Sequence, residues 1–105
     1  QADGEFLRAL DELEHEPVAG EHEGELDAAL ESIRRAIGLD PRHVNAQFNS
    51  GVILQEMGRY DEALKSYDAC LSLEPRRLDA LNNRGIVLTR LARYEEAIRC
   101  YDLVL

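Results

Sequence analysis

The chain has 105 residues, 45% hydrophobic and 31% charged, a composition that supports one folded core and not a disordered segment. Its 21 acids against 12 bases give a formal net charge of −9, which argues against a nucleic-acid partner, because a phosphate backbone would repel it. No apolar run in the sequence approaches the roughly 18 to 20 residues that span a bilayer, so no membrane partner is expected. The opening Gln1-Ala2-Asp3-Gly4 has no secretory pattern and a cytoplasmic location is expected, while a start at Gln rather than Met leaves a removed export signal open.

In chain order, Phe6, Leu7, Leu10 and Leu13 form the apolar stripe of a helix over 5–15, and Pro17, Gly20 and Gly24 mark a loop over 16–24. Residues 1–31 hold 11 acids and one base, a net −10, so the remaining 74 residues carry +1. That split reads as a solvated cap on one end of the fold, with an acidic contact surface as the alternative. Further helices are placed near 25–38, 43–57, 60–72, 77–91 and 94–105. Leu81, Gly85 and Leu88 share one helix face at i, i+4 and i+7, as do Gln47, Gly51 and Leu54. The stripe Tyr60, Ala63, Leu64, Tyr67, Cys70 and Leu71 is echoed by Tyr94, Ala97, Ile98, Tyr101, Val104 and Leu105.

The echo is an internal repeat. Sliding the chain by 34 residues aligns 41–71 with 75–105 at 13 identities, among them Pro41/Pro75, Ala46/Ala80, Asn49/Asn83, Gly51/Gly85, Tyr60/Tyr94, Ala63/Ala97 and Tyr67/Tyr101. Residues 27–42 match 61–76 at Asp27, Ala29, Leu30, Ser32, Leu39, Pro41 and Arg42, so the period begins before residue 41. Each period holds two amphipathic helices, joined near Gly58 or Ala92 and separated from the next period by Pro41 or Pro75. Gly51 and Gly85 fall inside helices, where glycine costs about 1 kcal/mol relative to alanine. Its recurrence at one phase predicts a close approach, with Ala63 and Tyr67 brought against Gly51 and Ala97 and Tyr101 against Gly85.

A 34-residue helix-turn-helix period with these glycines, the joints Gly58-Arg59-Tyr60-Asp61-Glu62-Ala63 and Ala92-Arg93-Tyr94-Glu95-Glu96-Ala97, a Tyr four residues on and a terminal Pro resembles the tetratricopeptide repeat. The resemblance covers 25–105 and implies an all-α fold, an α-solenoid of antiparallel helix pairs in one domain of about three repeats. These are a degenerate acidic first repeat over 1–40, a second over 41–74 and a truncated third over 75–105. The third departs from the family pattern: Leu81 stands in the place of the family's Trp and Arg84 in that of its Leu, and the chain stops at Leu105 before the usual Pro.

Residues that carry chemistry are few. Cys70 takes a small-residue place in the stripe and reads as a buried reduced thiol, while Cys100 lies one residue off the Tyr101 stripe. Glu14-His15-Glu16 and Glu21-His22-Glu23 hold metal-capable groups, but a seven-residue His spacing across a loop matches no familiar ligand set, so no metal is expected. No phosphate loop, nucleophile elbow or catalytic carboxylate pair appears, so neither a cofactor nor catalysis is expected.

In a right-handed stack of helix pairs the first helices line a concave side. On that side the chain places Asn45, Phe48, Asn49, Val52, Gln55 and Glu56 beside Asp79, Asn82, Asn83, Ile86, Thr89 and Arg90. Asn49 and Asn83 share a phase and resemble the asparagine ladder of the O-linked N-acetylglucosamine transferases, which implies that each holds a peptide bond of an extended partner; the alternative is an Asn that caps or bridges locally. The Lys and Arg of a carboxylate clamp are absent, Asp79 and Asn83 standing in their places. The acidic balance and the 34-residue period argue against RNA-reading pentatricopeptide repeats. The expected function is a non-catalytic protein-protein interaction module that takes a peptide or protein segment in the groove. The alternative is a structural solenoid segment that self-associates through its C-terminal edge, where no Pro, Gly or polar capping helix is expected after Asp102-Leu103-Val104-Leu105.

Overall fold

The computed structural model describes residues 23–105. The helix expected over 5–15, the loop before Glu23 and both His15 and His22 lie outside the described residues. Five helices follow one another: α1 (Glu23–Leu39), α2 (Val44–Glu56), α3 (Tyr60–Leu73), α4 (Leu78–Arg90) and α5 (Tyr94–Val104). All start and end within two residues of the expected positions, and no strand occurs among the described residues. Gly24, expected in the loop, is already in the first turn of α1.

Each helix packs on the next one in the chain, and the sole contact that skips a helix is α2 on α4. This nearest-neighbour pattern is that of a solenoid. The all-α solenoid therefore has α2 and α4 side by side along one face, with α3 and α5 behind them.

Inside each pair the glycine has a steric cause. A Cβ built on Gly51 would stand 2.5 Å from Tyr67 Cε1, and one on Gly85 would stand 2.6 Å from Tyr101 Cε1. A tyrosine ring lies directly on the backbone of the facing helix in both repeats. Ala63, Ala80 and Ala97 keep the remaining crossings tight, each at 2% exposure or less. Tyr67, Leu88, Val87 and Cys70 are the largest side chains closed off completely. Such burial stabilises by about 1.5–3 kcal/mol for each large apolar side chain.

The joints inside pairs are two copies of one device. Gly58 N–H donates to Gln55 O and Arg59 N–H to Leu54 O, while Ala92 N–H donates to Thr89 O and Arg93 N–H to Leu88 O. These crossed bonds satisfy the last carbonyls of α2 and α4 and need a left-handed residue after the cap. Gly58 supplies it at φ +76, and Ala92 adopts φ +60 in the same place. Arg59 and Arg93 then open the next helices and pair with Glu62 and Glu96. Between pairs, Asp40-Pro41-Arg42-His43 and Glu74-Pro75-Arg76-Arg77 form turns closed by His43 N–H to Asp40 O and Arg77 N–H to Glu74 O. His43 then caps α2, its Nδ1 accepting from Ala46 N–H at 3.1 Å.

Cys100 differs from its expected place beside the stripe: it is buried, and Arg84 Nη1 donates to its Sγ at 3.0 Å. The same phase one period earlier holds Ser66, whose hydroxyl bonds that of Ser50 at 3.1 Å. This helix crossing is thus polar in both repeats. Arg84 also reaches Asp68 Oδ1 of α3 at 2.7 Å, so the residue that replaces the family's Leu stitches three helices together.

The two glycines differ in how far their tyrosines can yield. Tyr67 is sealed between neighbours, whereas Tyr101 is only half-buried. Gly51→Ala should lose about 1–2 kcal/mol, overpacking outweighing the helix propensity gained, while Gly85→Ala should stay near neutral because the Tyr101 ring can swing outward. Thermal melts of the two variants check this, and a larger loss at Gly85 would show the packing is misassigned.

Candidate partner-binding groove

The face shared by α2 and α4 carries the residues expected to meet a partner, and the structure divides them into two groups. The first surrounds Arg77, the residue that opens α4. Its guanidinium carbon lies 4.6 Å from the centre of the Phe48 ring. Arg77 Nη1 donates to Asn45 Oδ1 at 2.8 Å and Nε to Asp79 Oδ1 at 2.8 Å. Asp79 in turn accepts from Ala80 N–H at 2.8 Å, within the first turn of α4. The Asp79 hydrogen bond raises the Arg77 pKa further above its ordinary value. Three expected groove residues, Asn45, Phe48 and Asp79, are therefore spent on an internal clasp between α2 and α4, and Arg77 is a groove residue the sequence reading missed. Neither its joint position nor helical periodicity signals a contact 29 residues back along the chain.

The second group lines an open recess of about 270 Å³ formed by Val52, Gln55, Glu56, Tyr60, Asn83, Ile86 and Arg90. Val52 and Ile86 supply apolar wall, Glu56 and Arg90 charges of opposite sign, and Gln55 and Asn83 amides. Tyr60 was read as a core stripe residue and lines the recess as well. Asn49, Asn82 and Thr89 lie outside this lining. Asn49 and Asn82 are exposed, and Thr89 Oγ1 donates to Gly85 O of its own helix at 2.9 Å.

Under the recess, Tyr67 packs its ring 5.9 Å from that of Phe48, tilted by 51°. Its hydroxyl donates to Gln55 Oε1 at 2.7 Å. Burial pushes its pKa from 10.0 up to about 12; the nearby Asn83 amide opposes the rise, and the charges of Glu56 and Asp79 add to it. Cys70, behind the same face, is a free buried thiol whose pKa burial also raises. Among the described residues no group of three or more His, Cys, Asp or Glu could hold a metal ion. No helix of the described residues is long and apolar enough to cross a membrane.

Comparison with known proteins agrees with this geometry. Profiles of the tetratricopeptide repeat match residues 19–43, 44–77 and 77–105 in succession. The chain belongs to the tetratricopeptide repeat family. No curated protein matches it in sequence. Among solved structures it is similar to a crystal structure of MamA, at 25% identity and a TM-score of 0.74 over 76% of this chain and 47% of that one. A second MamA structure matches at 26% identity and a TM-score of 0.74, over 77% of this chain and 44% of that one. The chain thus spans about half the length of the MamA structures it matches. Tetratricopeptide repeats are protein-interaction scaffolds, and this chain has their repeats and their fold.

The buried phenol gives the tetratricopeptide solenoid an alkaline limit. Tyr67 ionises near pH 10 when unfolded and near 12 when folded, so stability is intact below 10 and falls as pH rises from 10 to 12. The loss should total on the order of 2–3 kcal/mol. Cys70 pulls in the same direction from about pH 9 upward, so the comparison of wild type with Tyr67→Phe isolates the phenol. Urea unfolding at a series of pH values should show a shallower alkaline fall for Tyr67→Phe, and equal falls would mean that the phenol ionises freely.

Proposed function

We propose that the α2–α4 face captures an extended or helical segment of a protein or peptide and carries out no catalysis. The observation that supports this reading is the recess itself: two adjacent first helices contribute apolar wall, paired amides and opposite charges to one open depression. Convergent polar groups on an apolar ground are what a binding site requires. The charges of Glu56 and Arg90 balance, so the groove favours amide and apolar contacts over ionic steering.

Panning a displayed random-peptide library on the chain supplies a ligand for titration. Binding should weaken about tenfold or more in the Asn49→Ala/Asn83→Ala variant, since each buried amide bond lost costs on the order of 1–3 kcal/mol. Deleting residues 1–24 or raising the salt concentration should change it little. Binding that survives the double substitution and vanishes with the deletion would move the function to the acidic segment.

A second reading rests on α5. Ile98 is 57% exposed, whereas Leu64 at the same phase in α3, a helix that has α4 packed after it, is 6% exposed. Tyr94, Leu103 and Leu105 are likewise exposed. A face built to take a neighbouring helix can take one from a second copy. Sedimentation of the chain as given should show association that grows with concentration and is relieved by Ile98→Glu with Leu103→Glu. Monomers at all concentrations would remove this reading and leave the groove untouched.

A further inference from the structure

One phase of the repeat is buried in two helices and open in the third. Leu30 of α1 is 3% exposed and Leu64 of α3 is 6% exposed, and α2 and α4 pack on those two helices. Ile98 holds the same phase in α5 and is 57% exposed. Among the described residues α5 packs on α4 alone. The rest of this face is also a copy of α3, with Tyr94 for Tyr60, Tyr101 for Tyr67 and Asp102 for Asp68. Tyr67 is sealed where Tyr101 is half-buried, and Tyr60 is half-buried where Tyr94 is exposed.

The covered copy of the face shows what fits it. α4 packs on α3 and reaches it with Arg84, whose Nε donates to Asp68 Oδ1 at 2.7 Å. Ala80 stands four residues before Arg84 and Val87 three residues after, and both are wholly buried in the core cluster that holds Leu64 and Tyr67. At these spacings the three residues share one side of α4. One period earlier neither charge is present: Arg34 stands in α1 at the phase of Asp68, and Ser50 stands in α2 at the phase of Arg84. The base therefore occurs where an acid faces it and is missing where a base would repel it. The α5 face carries the acidic version, and Asp102 is exposed with no ion pair among the described residues.

We propose that the free face of α5 docks an amphipathic helix of a partner protein, one that carries an arginine four residues after a small residue and three before an aliphatic one. The helix crosses α5 as α4 crosses α3 and sets its guanidinium on Asp102. Burial of Ile98 and of the open side of Tyr101 holds it there. The Asp102 pair fixes its register and its direction along α5, because a glutamate at the same place meets a like charge and is refused. The groove between α2 and α4 plays no part in this docking, and a second copy of the chain is the competing occupant of the same face.

The probe is a synthetic peptide of residues 75–92, which is α4 with its flanking turns, titrated into the nitrogen-15-labelled 105-residue chain and read by nuclear magnetic resonance. A lone helix of this length is marginal in water, so the titration runs to high peptide concentration. The backbone amides of α5 should shift and those of α2 should stay still. The same peptide with Arg84→Glu should bind at least about fivefold more weakly. Asp102→Arg in the chain, a change at an exposed site, should leave the fold intact and reverse the order of the two peptides, and Ile98→Glu should abolish the α5 shifts. Equal binding of the two peptides, an order that Asp102→Arg does not reverse, or no α5 shift with either peptide overturns the proposal. A peptide that shifts α2 and leaves α5 still overturns it and speaks for the groove reading instead. Signals of α5 that move with the concentration of the chain itself and ignore the peptide give the face to a second copy, and they overturn it as well.

Discussion

The contact on which the solenoid depends is that of a tyrosine ring with the bare backbone of the facing helix. At Gly51 and Gly85 there is no room for a single added carbon, so the depth to which each second helix sinks into its first is set by the thickness of an aromatic ring. That depth fixes where α4 meets α3 and, through α3, how far α4 stands from α2. The groove inherits its width from this stacking. Because Tyr67 is inserted so deeply, its hydroxyl reaches Gln55, which lines the groove. Core and groove are thus joined through one residue, and a change at Gly51 that tilts the ring would be felt at Gln55.

The parts of the architecture that follow from local periodicity were legible in the sequence. The 34-residue phase, the five described helices and the close approach at the glycines each leave a signal in residues that neighbour one another on one helix or repeat one period apart. The groove was legible only as a face. The amphipathic pattern says which residues look away from the second helix; it does not say which of them pair with each other once two repeats are stacked. Asn45, Phe48 and Asp79 look like available contacts in the sequence, and Arg77 engages all three. The Arg77 and Phe48 side chains sit at different phases of successive repeats, so no repeat comparison aligns them. Cys100 was misplaced for the opposite reason. Its phase places it beside the stripe, but Arg84, standing where the family has Leu, draws a polar contact toward the thiol.

Charge has a more local role than the net value of −9 suggests. Arg59 with Glu62 and Arg93 with Glu96 mark the entry to α3 and α5, and each pair is exposed enough for solvent to screen it. Arg77 and Arg84 are different in kind. Both are largely covered and both bridge separate helices, Arg77 from α4 to α2 and Arg84 from α4 to α3 and α5. Planar guanidinium groups with several fixed donors suit this work, and lysine in either place could not reproduce it. The stack is therefore held in register by arginines as well as by apolar burial, and α4 is the helix through which both arginines act.

Ala92 leaves one trace in how this molecule moves. It holds the left-handed conformation that Gly58 holds at the equivalent joint, and a side chain in that conformation costs roughly 1–2 kcal/mol. The two helix hairpins, joined by the same pair of turn bonds, are therefore unequal in the energy needed to open them. In a solenoid whose units touch only their neighbours, that inequality is not averaged over the whole chain. The α4–α5 hairpin becomes the weaker cooperative unit, and its amides exchange with solvent through partial openings that leave α2 and α3 closed around Tyr67.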